Sequence, residues 1–249
     1  MLGQSLNRFQ IIVVDNSGNL DYRNIFEDTH MQELFLSRLK ILQSESSNIF
    51  EMYNEGLRIA QGKYVIFANG DDLFRNDFLQ TLYSFAERNK ADIVYPSNYG
   101  IPVSDNTIKA TSNEKAWEFE KSAHELDDKN LNLRLQGFLN GVFYQRVFNK
   151  LIRRDFLINN GITFSADTNI PEWIFCLKCL CLSEKYMRIP EVLYVQLLNR
   201  NFEFEFDPYR TIASIKELEN FMASVNFFND KIEIRKAILS NVLKTSNSL

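Results

Sequence analysis

The sequence predicts an α/β fold, a mostly parallel sheet flanked by helices with a helical region at its carboxyl end, and three observations carry that prediction. Short β-branched runs without polar alternation recur along the first hundred residues, as expected of strands covered on both faces. Segments with apolar residues at helical spacing lie between them. Two of the runs end in acidic turns, Asp15-Asn16 and Asn69-Gly70-Asp71-Asp72, and strand carboxyl ends are where ligands bind in open α/β sheets.

The first run, Gln10 to Asp15, is followed by the turn signal Asp-Asn-Ser-Gly. Arg38 to Leu42 reads as a second strand, although Met31 to Leu42 also fits one helix. Ile49 to Ala60 has helical spacing and Gly62 beyond it as a stop. Lys63 to Ala68 is a third strand leading into the second acidic turn, where Gly70 lets the backbone turn without a side chain in the way. A helix over Asn76 to Asn89 places Phe78, Leu79, Leu82, Phe85 and Ala86 on one face, and Ala91 to Tyr95 is a fourth strand.

After Pro96 the pattern loosens, and the polar stretch Ser104 to Lys129 reads as loops plus a helix. Helical segments are predicted at Leu131 to Asn140, around Phe143 to Asn160 and over Trp173 to Ser183, then a short strand at Glu191 to Gln196. Phe202, Phe204 and Phe206 alternate with acids and read as a half-buried edge strand, and two amphipathic helices over Tyr209 to Val242 break near Asn226 to Asp230. No linker divides the chain. Residues 1–249 read as one domain with functional halves at about 1–100 and 101–200 and terminal helices from about 205.

Composition narrows the partners. The 249 residues are 45% apolar and carry a net charge of −4, against the basic excess that a broad nucleic-acid surface needs. Arg153-Arg154 is the clearest basic run and leaves a phosphate or anionic-lipid contact open. No apolar run is long enough for a transmembrane segment, and no secretory leader opens the sequence. Cys176, Cys179 and Cys181 share one apolar segment, and His30 and His124 are far from it, so buried free thiols on a helix are expected rather than zinc. Free thiols point to a reducing compartment, the cytoplasm.

Tyr53 to Asp72 (YNEGLRIAQGKYVIFANGDD) resembles the family-2 glycosyltransferase signature RNxGLxxAxGxYIxFLDxDD. Phe9 to Gly18 (FQIIVVDNSG) is similar to that family's EIIVVDDGS, and Val147 to Arg154 (VFNKLIRR) to its WNKLYRR. Phe164 to Gln196 follows its F…EDxxF…IPExLYYY pattern without a gap. The four blocks stand in the family's order and together cover about residues 4–200. The resemblance implies a GT-A fold and transfer of a sugar from a nucleotide-sugar donor to an acceptor, with Mn²⁺ or Mg²⁺ as cofactor.

The resemblance also implies roles for single residues. Asp15 and Asn16 would contact the nucleotide, with the Asn16 amide reading the base by hydrogen bonding. Asn54 falls in the same set. Asp71 would hold the metal with Asp72 beside it, and Asn69, standing for the first acid of the DxD motif, would bond a ribose hydroxyl. Lys150 would contact phosphate or acceptor, or be an exposed helix residue. Tyr53 replaces an arginine, removing a donor to the diphosphate. Glu172 stands where the family has its general base, with Asp167 as the substitute candidate; a carboxylate there takes the proton of the attacking hydroxyl. Glu172 also fits a helix start after Pro171, where the dipole favours an acid. Trp173 would stack on a sugar ring.

Bacterial relatives of this kind assemble surface polysaccharide on glycan or lipid-linked acceptors, so action at the inner face of a membrane is expected. Two other readings stand beside this one. The first is a catalytically impaired or silent nucleotide-binding domain, suggested by Asn69, Tyr53 and Pro171. The second is a Mg²⁺-dependent phosphotransfer domain, although Asp15-Asn16-Ser17 lacks the second acid that chemistry needs. Family members also begin with a strand and helix that Met1-Leu2-Gly3-Gln4-Ser5 would only finish, so about 25 residues are expected to be missing. That gap would lie between residues 10–15 and 63–68, and a homodimer through the exposed edges is a further expectation.

Overall fold

Two sheets share out the strands of this computed structural model, which describes residues 3–18, 33, 36–70, 72–102, 130–141, 145–198 and 207–247. β1 (Ile11–Asp15) and β2 (Leu39–Gln43) are parallel, in register from Ile11↔Leu39 to Asp15↔Gln43. The second sheet holds β3 (Tyr64–Val65), β4 (Leu73–Phe74), β5 (Ile93–Pro102), β6 (Leu151–Arg153) and β7 (Tyr186–Leu198), in the order β3-β6-β5-β7-β4. It is mixed: β5 runs parallel to β7, whereas β3 and β5 pair antiparallel with β6, and β4 with β7. Counting both sheets, parallel ladders still carry most of the paired residues.

Helices flank the sheets at α1 (Ile49–Ile59), α2 (Phe78–Asn89), α3 (Leu131–Leu139), α4 (Arg154–Asn159) and α5 (Pro171–Leu182). The predicted terminal pair is α6 (Pro208–Ser224) and α7 (Ile232–Asn247), separated by a 3-10 turn at Asn226–Phe228. Local chemistry fixes the ends. The Asn48 side chain caps α1 by accepting the Phe50 N–H, and Lys90 takes the left-handed conformation (φ 51°) that closes α2. Proline opens α5, where its missing N–H costs nothing.

Three expectations change. The strand expected over Lys63 to Ala68 shrinks to Tyr64–Val65, because its partner β6 is only three residues long. The helix expected around Phe143 to Asn160 starts at Arg154, and Leu151 to Arg153 form β6 between β3 and β5. Leu151 and Ile152 are buried there, and burial in the middle of a sheet overrides helical spacing. The short strand at Glu191 to Gln196 is part of β7, which runs from Tyr186 alongside β5 with a register shift near Pro96 to Asn98. Phe202, Phe204, Phe206 and the stretch Ser104 to Lys129 lie outside the described residues.

No ladder joins β1 to β3 among the described residues; the strands expected to lie on either side of a gap sit in different sheets. Two features hold the halves together. Gln4 donates to the Arg75 carbonyl at 2.7 Å and accepts the Leu79 N–H at 2.9 Å, which fastens the segment before β1 to the start of α2. α1 lies against β1 on one side and turns Tyr53 and Phe50 toward the main core on the other.

That core is rich in phenylalanine. Phe164 and Phe175 stack at 4.2 Å, Phe67 meets Phe164 edge-on at 5.0 Å, and Tyr53 packs on both Phe67 and Phe164. α5 is apolar around most of its circumference and correspondingly buried, with Cys176, Cys179 and Cys181 as free thiols inside it. Burial pushes the thiols of Cys176 and Cys181 up to about 12, which keeps them in their unreactive form. Among the described residues no helix is long and apolar enough to cross a membrane.

Candidate active site

Glu172 is a buried acid with a partner on each carboxylate oxygen. It enters in the first turn of α5, where the helix dipole favours a carboxylate, and is buried. Its Oε1 accepts the Val147 N–H at 2.7 Å, and its Oε2 pairs with Arg146 Nε at 2.9 Å. Burial raises its pKa above the usual carboxylate value; Arg146, the Val147 amide and Lys150 oppose that rise, and Asp72 adds to it. The result is a carboxylate set up to hold a proton more readily than an exposed one.

Asp72 is buried at the end of the second acidic turn, immediately before β4. Its N–H donates to the Asn69 carbonyl, and its Oδ2 accepts a short hydrogen bond from the Tyr194 hydroxyl of β7. Tyr53 lies between the acids electrostatically. Burial raises its phenol pKa, Glu172 and Asp72 raise it further, and Arg146 lowers it. The tyrosine that stands for an arginine packs in the aromatic core, against Phe50, Phe67, Phe148 and Phe164. Asn69 is half-buried, and Asp71 lies outside the described residues.

Asp15 ends β1, buried, with Oδ1 accepting the Ser17 N–H at 2.9 Å and the Ser17 hydroxyl at 2.8 Å, and Oδ2 accepting from Gln43 at 3.2 Å. Asn16 is exposed and donates to the Ser46 carbonyl at 3.2 Å. From there the loop before α1 reaches the loop before α5: Asn48 donates to the Ala166 carbonyl at 3.1 Å. Exposed Asp167 is the next residue, so it stands on the rim that connects the two acidic regions.

Other candidates land elsewhere. The Asn54 amide donates to the Phe164 carbonyl and accepts the Phe164 N–H, both at 2.9 Å, a two-way clamp on the scaffold. Lys150 is neither exposed nor on a helix: it is fully buried, donates to the Arg146 carbonyl and to Asn149, and lies 5.0 Å from the Tyr95 ring centroid. Burial lowers its pKa. Trp173 is buried 5.1 Å from Phe138, a core contact in place of a sugar platform. Gly70 has no positive φ, and a Cβ there would meet nothing within 4 Å, so the turn does not require glycine. Arg153 and Arg154 of the basic run bond Asp92 and the Ala60 carbonyl.

Arg146 and Tyr194 escaped the sequence reading. Tyr194 stands within the IPExLYYY block and was legible there as a motif tyrosine; Arg146 precedes the WNKLYRR-like block by one residue and carries no motif signal. For a divalent cation, the described turn offers the Asp72 carboxylate and the Asn69 amide oxygen, hard donors that fit Mn²⁺ or Mg²⁺. Among the described residues there is no cluster of three or more His, Cys, Asp or Glu that could hold a metal.

Comparison with known proteins bears on the family and the fold. The family described as Glycosyl transferase family 2 matches residues 1–158. An uncharacterized glycosyltransferase of Bacillus subtilis, EpsJ, is 25% identical over 92% of this chain and 64% of its own length. Poly(ribitol-phosphate) beta-N-acetylglucosaminyltransferase TarP of Staphylococcus aureus is 22% identical over 92% of this chain and 62% of its own. The chain therefore spans a little under two thirds of these relatives. Crystal structures of S. aureus TarS residues 1–349 share the fold: the complex with UDP-GlcNAc superposes with a TM-score of 0.67 at 17% identity, over 98% of this chain and 66% of that one. The complex with UDP gives 0.65 at 14% identity, over 100% and 66%.

Proposed function

Because the chain belongs to glycosyltransferase family 2, we propose that it transfers a sugar from a nucleoside-diphosphate donor to an acceptor hydroxyl with inversion at the anomeric carbon. The observation that supports this reading is that two buried acids from opposite halves of the sequence, Glu172 and Asp72, lie near enough to act on Tyr53 electrostatically, and Asp72 on Glu172.

In the reaction, the acceptor oxygen forms a bond to the anomeric carbon while the bond from that carbon to the diphosphate oxygen breaks. The bonding pair leaves with the nucleoside diphosphate, and the acceptor proton passes to Glu172. Burial favours the protonated product form of Glu172, and the Val147 N–H fixes which way its carboxylate points. Asp71 and Asp72 are the residues to hold Mn²⁺ or Mg²⁺. When bound, the ion supplies charge neutralisation to the leaving diphosphate. Asp15 and Asn16 contact the nucleotide, with the exposed Asn16 amide available to a base. Donors of the UDP-GlcNAc type, as bound by TarS, and polyol-phosphate or other surface-glycan acceptors, as in the name of TarP, are the candidates to try first. Residues 1–100 bind the donor and residues 101–200 shape the acceptor site, with the reaction at the cytoplasmic face of the membrane.

A second reading, donor binding without transfer, is favoured by one observation: both oxygens of Glu172 are engaged, and the Arg146 ion pair on Oε2 opposes its taking up a proton. Calorimetry with UDP, GDP and dTDP, with and without Mn²⁺, paired with hydrolysis of the matching nucleotide sugars, tests both. A transferase shows metal-dependent binding and slow donor hydrolysis. Binding with no hydrolysis or transfer supports the second reading, and absence of any nucleotide binding overturns both.

A further inference from the structure

We infer that Arg146 is a donor-binding residue of this chain, its guanidinium gripping the diphosphate of the nucleotide sugar while it stays paired with Glu172. The inference rests on the glycosyltransferase reading and adds to it a residue that no motif marks.

A site that releases a nucleoside diphosphate beside two carboxylates is helped by a cationic side chain in addition to a metal ion, since like charges at short range repel strongly. The basic side chains around the site leave few sources. Lys150 is fully buried beneath it, its ammonium turned to the Arg146 carbonyl, Asn149 and the face of Tyr95. Arg75 is bidentate on Asp77 and also reaches Glu191, Arg153 sits on Asp92, and Arg154 bonds the Ala60 carbonyl and Asp155. The position of the signature arginine is Tyr53, which has no charge to give.

Arg146 spans the boundary between a buried acid and solvent, its side chain 51% exposed and its carboxylate partner 10%. Arg153 on Asp92 is similarly placed, but its Nε and Nη2 are both taken up there. Arg146 touches Glu172 through Nε at 2.9 Å. A guanidinium carries five N–H donors in a planar fork, and an ion pair made through Nε leaves its terminal N–H groups for a second oxyanion. The group is also held in place. Its central carbon lies 5.6 Å from the Phe148 ring centroid, and its own carbonyl is fixed from below by Lys150. A preordered fork loses less freedom on binding than a free lysine does. The same pairing keeps the Glu172 charge from repelling the incoming diphosphate.

The test compares binding of a nucleoside diphosphate with binding of its parent nucleoside, which lacks the phosphates. Of UDP, GDP and dTDP, the one that the wild-type chain binds best is titrated calorimetrically in Mn²⁺ against wild type, Arg146→Met and Arg146→Lys, and the parent nucleoside likewise. Methionine keeps the apolar stem over Phe148 and removes the charge. The expected result is a loss of about 10- to 100-fold in diphosphate affinity for Arg146→Met, with partial recovery in Arg146→Lys. Nucleoside affinity stays unchanged in both variants.

Unchanged diphosphate affinity in Arg146→Met overturns the inference and leaves the glycosyltransferase reading standing. Equal losses for nucleoside and diphosphate also overturn it, because they mark a disturbed fold. If wild type binds none of the three diphosphates, the inference falls together with the reading on which it rests.

Discussion

The two sheets bury their acids in different surroundings. In the five-stranded half, Glu172 and Asp72 are buried against β7, α5 and the loop before β6, and hydrogen bonds fix their oxygens. In the β1–β2 half, Asp15 is the one buried residue of either strand, and Asn16 beyond it is exposed. Under the proposed function the difference corresponds to two jobs. Moving a proton requires a carboxylate whose distance and pKa are held by a dense, water-poor surround. Recognising a nucleotide base requires donors and acceptors that solvent, and therefore ligand, can reach. The deep half suits the first job and the thin half the second.

The sharpest way to break this comparison is to exchange the acids for amides. Glu172→Gln is expected to lower turnover on the order of 10²–10⁴ with donor affinity nearly unchanged. Asp15→Asn is expected instead to weaken donor binding on the order of tenfold while leaving turnover at saturating donor within a few-fold. Steady-state kinetics with calorimetry separates the two patterns. If Asp167→Asn shows the large turnover loss and Glu172→Gln does not, the base belongs on the rim and the division of labour drawn here fails.

Stability gives the next contrast. Phe175 is fully buried against Phe164 and Phe67, and Phe175→Ala should cost about 3–5 kcal/mol in urea unfolding. Ile41 in β2 is 39% exposed, and Ile41→Ala should stay within about 0.5 kcal/mol. Comparable losses at the two positions would mean that the small sheet is as firmly built as the large one.

The smallest effect is in pH dependence. Protonated Glu172 cannot accept the acceptor's proton, so turnover must fall as pH drops through its pKa. Burial raises that pKa above the ordinary 4.5, with Asp72 adding and Arg146, Val147 N–H and Lys150 subtracting. The acid limb of the turnover profile is therefore expected above 4.5, and Arg146→Met should move it further up. A limb at or below 4.5 would assign the base to an acid in a more solvated setting.

Much of the fold was legible because the signals were local and strong. α1, α2 and α5 lie within two residues of the spans their apolar spacing and caps suggested, and the terminal pair begins and breaks where expected but runs on to Asn247, five residues past Val242. β6 was not legible: Leu151-Ile152 carries little β signal against the helical residues around it, and only β3 and β5 on either side make it a strand. At the site, motif spacing pointed to Glu172 and Asp72, since both belong to runs with a fixed offset from a strand or helix end. It could not tell that Lys150 faces inward or that Asn54 clamps Phe164, because those outcomes depend on what packs from ~100 residues away in sequence. Arg146 was silent for the same reason: its meaning lies in one contact across 26 residues, with no pattern of its own.

Gly56 sets a dimension of this molecule. It lies on the side of α1 that meets β1, where a Cβ would come within 3.3 Å of a Val14 methyl and 3.8 Å of an Ile12 methyl, while Tyr53 one turn earlier reaches the aromatic core. A single helix therefore acts as the spacer between the strand that ends in Asp15 and the core beneath Glu172, and its thickness at Gly56 is the smallest that an amino acid allows. A methyl group added there would require the Val14 side chain to give by a few tenths of an ångström, so the packing of helix on strand is set by what this one position leaves out.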